Sequence, residues 1–169
     1  MAPYAIAHMK IGLKLYETGY RFKSDQRARI YLTNALEPAH DYSGTLSFAI
    51  PSLAREGNAV AEIKQKNRFT VIIGNPPYSG HSSNNSESSK ALVDAYYVFD
   101  GKGLGEKNPK WLQDDYVKFT AFGQQLISAS GTGIQSFITN HGFIDNPTFR
   151  GMRQTLAHSK GEIFVLDLH

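Results

Sequence analysis

Residues 69–75, FTVIIGN, constrain the fold of this chain more than any other stretch. Thr70, Val71, Ile72 and Ile73 form an unbroken apolar or β-branched run, the pattern of a strand buried on both faces, as in parallel sheets. The run then stops at Asn75-Pro76-Pro77-Tyr78. Proline has no N–H, restrains φ and biases the residue before it toward extended backbone, so neither ladder nor helix continues there. In open parallel sheets, ligands bind beyond the carboxyl ends of the strands. The chemistry of this chain is therefore expected at residues 75–78.

The remaining segments fit a sheet flanked by helices. Residues 3–18 carry Ile6, Met9, Leu13 and Tyr16 at helical spacing, with Pro3 near the start and Gly19 past the end. The run 27–36, RARIYLTNAL, predicts a strand, and 52–66 a helix interrupted at Gly57. A helix is expected from 111 to 128 (Leu112, Tyr116, Phe119, Phe122, Leu126), then a strand in GIQSFITN. A second helix follows in NPTFRGMRQTLAHS, with Asn146 as cap and Pro147 first, and a last strand in EIFVLDLH. Strands alternating with helices imply an α/β fold with a mostly parallel sheet, here as one domain over 1–169. Residues 79–110 break this rhythm. SGHSSNNSESSK has nothing to give a core and is expected to be a mobile loop, and such long irregular segments are usually functional.

Composition excludes several classes. Without cysteine there is neither a disulfide nor a thiolate metal site. Six histidines show no metal-ligand spacing, and no metal is expected. No apolar run reaches the roughly 18 residues of a membrane span, and no secretory signal is present, which points to a cytoplasmic protein. The net charge of +3 is modest, but Lys102, Lys107, Lys110 and Lys118 cluster in one segment and Arg150 and Arg153 in another, a set that fits solvated surface charges as well as nucleic-acid binding; Lys102, Lys107, Lys110, Arg150 and Arg153 are the candidates for DNA phosphates. Asp114-Asp115 fits the exposed turn of an amphipathic helix. No nucleophile elbow is present, which argues against a hydrolase.

With the backbone held extended, the Asn75 amide oxygen and the Pro76 carbonyl are two acceptors aimed the same way, and Tyr78 adds a flat apolar face. That set suits a planar heterocycle bearing an exocyclic amine. Such an amine is a weak nucleophile because its lone pair is delocalised into the ring. Accepting both N–H groups favours a tetrahedral nitrogen and stabilises the positive charge that grows as it attacks. A plain loop after a strand would use the same residue types.

NPPY after a hydrophobic strand resembles the catalytic motif of S-adenosylmethionine-dependent methyltransferases that modify adenine N6 in DNA. The same tetrapeptide occurs in glutamine methyltransferases acting on release factors and in some ribosomal RNA guanine methyltransferases. MAPYAIAHMKIGLKL, NPKWLQDDYVKF and FITNHGFIDNPTFRGMRQTL together resemble the methylase part of single-polypeptide restriction–modification enzymes over nearly the whole chain. The resemblance implies a Rossmann-like methyltransferase fold acting on double-stranded DNA. Asn75, Pro76, Pro77 and Tyr78 would form the catalytic clamp, Tyr78 stacking on the target base. Phe149 would meet that base from another side, although by itself it fits a core position on an amphipathic helix. The base must leave the duplex at a cost of a few kcal/mol, and stacking at roughly 1–3 kcal/mol per base offsets much of it.

The resemblance also marks what is missing. The family's glycine-containing acidic cofactor motif does not occur, and MAPYAIAH corresponds to a point just after the second strand of the relatives. A partial fold lacking the first strands is therefore expected. The upstream cofactor motif and downstream target recognition would belong to the remainder of a parent enzyme. Of the cofactor contacts, Asn34 would remain, against an ordinary loop asparagine. Two other functions stay open: a glutamine or RNA methyltransferase, and a non-catalytic nucleic-acid-binding remnant of the fold.

Overall fold

The computed structural model describes residues 2–23, 26–39, 51–66, 68–78, 80, 82–106, 109–159 and 161–168. The chain divides into two compact units, residues 1–67 and 68–169.

The first unit holds helices α1 (Ala2–Glu17) and α2 (Pro51–Lys66). Gly19, at φ +87°, turns the chain off α1, and its N–H reaches back to the Tyr16 carbonyl at 3.0 Å. Helix α2 runs through Gly57 without the expected interruption. Leu36, Ala54 and Val60 are buried, and Arg27 pairs with Glu56 at 2.9 Å while also donating to the Tyr4 hydroxyl. The strand expected at 27–36 does not form. The Ile30 N–H turns back to the Ala28 carbonyl at 2.9 Å, and Asn34 closes a turn by accepting from the Leu36 N–H at 3.1 Å. An apolar run becomes a strand only beside another strand, and these backbone groups bond locally instead.

The second unit contains β1 (Val71–Gly74), a short helix α3 (Glu87–Ala91), a 3-10 turn (Asp94–Tyr97) and a hairpin of β2 (Val98–Phe99) and β3 (Lys102–Gly103). Another 3-10 turn (Lys110–Gln113) leads into α4 (Asp115–Ser130). Strand β4 (Ile134–Phe137), α5 (Gly142–Asp145), a 3-10 turn (Pro147–Phe149) and α6 (Arg150–Ser159) complete it. Strands β1 and β4 pair in parallel, Val71 opposite Ile134 and Gly74 opposite Phe137. The mixed α/β character and the parallel pairing agree with the sequence. The double-sided burial of β1 does not: Val71 is 58% and Ile73 79% exposed, because among the described residues β1 has β4 as its one strand neighbour. Residues 161–168 form no strand, and Phe164 and Leu166 are more than four-fifths exposed. Neither β1 nor β4 pairs with them.

A third of the buried core of this unit comes from the stretch expected to be irregular. Val93, Tyr96 and Leu104 from it pack with Leu112, Tyr116, Val117, Ala121, Phe149 and Met152. Helix α6 lies so close that a Cβ on Gly151 would collide with the carbonyl oxygens of Tyr96 and Val98. The Tyr96 hydroxyl donates to Gln124 Oε1, and Gln124 Nε2 donates to Ser159 Oγ at 2.6 Å. Burial pushes the Tyr96 phenol above its ordinary pKa. It does the same for Tyr116, with Asp114 nearby adding to the effect.

Candidate active site

Strand β1 delivers residues 75–78 to the carboxyl end of the parallel pair. Its ladder closes at Gly74, whose carbonyl accepts from the Ile138 N–H at 3.1 Å. A Cβ on Gly74 would lie 3.0 Å from the Phe137 ring, so the pair meets closely at this point. Asn75 is exposed, Pro76 is buried, and Pro77 and Tyr78 are exposed, Tyr78 by 46%. Among the described residues no hydrogen bond uses the Asn75 side chain or the Pro76 carbonyl. The Tyr78 ring is thus left half in solvent, two and three residues after acceptors that no described residue uses.

Beyond Tyr78 the chain is tied to the start of α4. Asp114 caps that helix, its Oδ1 accepting from the Asp115 N–H at 2.7 Å while its Oδ2 accepts from the Gly80 N–H at 3.0 Å. Asp115 Oδ1 accepts from Ser82 Oγ at 2.6 Å and Asn84 Nδ2 at 2.9 Å. Lys118 Nζ donates to Ser82 Oγ at 3.0 Å and to the Asn84 carbonyl at 2.5 Å. Gly80 adopts φ +75°, and a Cβ there would sit 3.0 Å from the Trp111 ring. These residues correct two expectations. Asp114 and Asp115 are buried, at 6% and 5% exposure, rather than an open helix turn. The serine- and asparagine-rich segment, where described, is bonded to a helix, and Ser89 within it is fully buried. Loss of water around Lys118 lowers its pKa, an effect that Asp115 opposes.

The other sequence candidates lie elsewhere. Phe149 is 4% exposed in the core, its ring tilted against Tyr116 at 6.3 Å. Contact with a base would require the ring to leave that core. Arg150 donates to Glu106 at 2.6 Å, to the Pro147 carbonyl at 2.9 Å and to the Leu104 carbonyl. Arg153 donates to the carbonyls of Phe143 and Asn146, both at 2.9 Å. Both arginines thus fasten their own unit. Lys102 is exposed on β3, Lys110 is exposed with its Nζ 4.9 Å from the Trp111 ring centre, and Lys107 lies outside the described residues. Asn34, in the first unit, is exposed, and Lys64 Nζ donates to its carbonyl at 2.7 Å. Its side-chain oxygen accepts from the Leu36 N–H at 3.1 Å.

The site consists of a proline-stiffened acceptor pair at a strand end and an exposed aromatic. Residues 5–168 match the family model described as Eco57I restriction-modification methylase. The chain belongs to this family. It is thus a methylase of the restriction–modification type, and the match spans both units. No curated protein and no solved structure matches the chain. Among the described residues no helix is long and apolar enough to cross a membrane.

Proposed function

We infer that the chain carries the base-binding side of an adenine-N6 DNA methyltransferase, with S-adenosylmethionine as methyl donor and double-stranded DNA as substrate. The observation that carries the reading is the position of Asn75 and Pro76. They stand one and two residues past the last rung of a parallel strand, at its carboxyl end, beside the half-exposed ring of Tyr78. A flipped adenine stacked on Tyr78 would present its N6 amine to the Asn75 amide oxygen and the Pro76 carbonyl. Two acceptors draw the lone pair out of conjugation and offset the positive charge on nitrogen as the methyl group arrives. A preceding segment of the parent enzyme would supply most of the donor's binding groups, and a following one target recognition.

Tritiated-methyl transfer into duplex DNA by the complete methylase tests this. Asn75→Ala should abolish turnover while the fold and cofactor binding persist. The expected loss is about 2.7–4 kcal/mol of transition-state stabilisation or more, the scale for deleting one preorganised polar group. Asn75→Asp should be milder, since a carboxylate still accepts from the amine. Tyr78→Phe should retain most activity and Tyr78→Ala little. Near wild-type turnover by Asn75→Ala would reduce the proline pair to a strand terminator.

A further inference from the structure

The span that would hold the base is anchored at both ends, and only the near end belongs to the sheet. Gly74 fixes the near end through the Ile138 N–H. The far end is fixed at Gly80 by Asp114, and again at Ser82 and Asn84 by Asp115 and Lys118. All three holding residues lie within the first turn or so of α4, a 16-residue helix whose buried positions include Tyr116, Val117 and Ala121. The anchor is therefore part of the rigid core rather than of a loop.

Stability alone is a poor reason for this arrangement. Lys118 is fully buried. Taking an ammonium and a carboxylate out of water is expensive, and well-packed apolar side chains of similar volume are often as stable. What a buried polar cluster supplies, and apolar packing does not, is direction. Each hydrogen bond fixes a distance and an angle between α4 and the chain leaving Tyr78. Ser82 Oγ is the shared point: it donates to Asp115 and accepts from Lys118.

We propose that Asp114, Asp115 and Lys118, acting through Gly80, Ser82 and Asn84, are positioning residues for methyl transfer. They hold the exit of the catalytic span so that the Asn75 and Pro76 acceptors and the Tyr78 ring keep one mutual geometry. The proposal rests on the reading of residues 75–78 as the base clamp. Acceptors that wander by an ångström still bind the base but no longer meet the amine in its attacking geometry. Misplacement of that size can cost about a hundredfold in rate. The cost should therefore fall on the transfer step rather than on binding.

The test is single-turnover transfer by the complete methylase, with cofactor affinity, duplex affinity and melting temperature measured alongside. Ser82→Ala removes the shared hydroxyl without touching the core, and Ser82→Thr restores one. Asp115→Asn keeps the shape but removes the charge opposite Lys118. Ser82→Ala and Asp115→Asn should lower the transfer rate by about ten- to a hundredfold. KM for cofactor and duplex should stay within about twofold, and Ser82→Thr should recover most of the rate. A duplex carrying 2-aminopurine at the target base should still show the fluorescence rise of base extrusion in both slow variants. Wild-type rates in Ser82→Ala and Asp115→Asn, with Asn75→Ala inactive, would overturn the positioning role and leave the base clamp standing. Equal loss of rate in Ser82→Ala and Ser82→Thr, in step with a fall in melting temperature, would also overturn it. Full turnover by Asn75→Ala would instead remove the reading on which it rests.

Discussion

Phe149→Ala separates two roles for one ring. The side chain is 4% exposed and packs with Tyr116, Leu112 and Met152 in the core of the second unit. A buried aromatic removes about 150–250 Å² from water. At about 25 cal/mol per Å² that area corresponds to about 4–6 kcal/mol. The alanine left behind recovers part of it, which agrees with the usual cost of about 3–5 kcal/mol for Phe→Ala in a core. A loss of about 3 kcal/mol in a domain near 100 residues lowers Tm by about 12–24 °C. Urea unfolding followed through Trp111, the single tryptophan, reports on this unit because Leu112 beside it is fully buried. The expected result is a large drop in the urea midpoint, mostly recovered by Phe149→Leu. An unchanged midpoint in Phe149→Ala, with methylation lost, would refute the core assignment and return the ring to the base.

Gly151→Ala should also destabilise, since its Cβ would meet the Tyr96 and Val98 carbonyls, and overpacking costs about 1–3 kcal/mol; calorimetry measures it, and an unchanged Tm would contradict the close approach of α6. Tyr96 and Tyr116 have folded pKa values raised by burial, so the folded state holds their protons more tightly than the unfolded state does. Their contribution is whole below the ordinary phenol pKa of about 10 and is lost as pH rises above it; absorbance at high pH should show them ionising only with unfolding, and early ionisation of all nine tyrosines would count against it. Lys102→Ala with Lys110→Ala in the complete methylase should weaken DNA binding evenly across sequences and flatten its salt dependence. A loss confined to the cognate sequence would make these lysines base readers instead.

The end of strand β1 could be read from sequence because its determinants are local. Proline acts on its own φ and on the residue before it, and an apolar run ending in two prolines locates a strand end without reference to the rest of the chain. The parallel partner GIQSFITN was equally plain, as was the Asn146 cap, whose Oδ1 accepts from the Thr148 N–H at 2.9 Å. The strands expected at 27–36 and, within the described residues, at 162–168 do not form, for a matching reason. Their composition suits a strand, but strand formation depends on a neighbour, and no periodicity within a segment reports one.

The anchoring of the chain after Tyr78 was hidden for a further reason, which lies in the chemistry of serine and asparagine. These residues mark loops because their side chains compete for backbone hydrogen bonds, and that same capacity lets them satisfy buried charges. Ser82 and Asn84 spend it on Asp115 and Lys118, more than 30 residues away in sequence. Read alone, SGHSSNNSESSK lacks apolar residues to bury and DDYVKF carries charges that belong in water. Together they form a closed set, in which the carboxylate of Asp115 and the ammonium of Lys118 share one hydroxyl. A polar run in one place and an ill-placed charge cluster in another are therefore weak evidence of disorder when they can answer each other. Here the match lies immediately after the residues proposed to hold the base, where fixed direction would be worth most to a transfer that depends on two aligned acceptors.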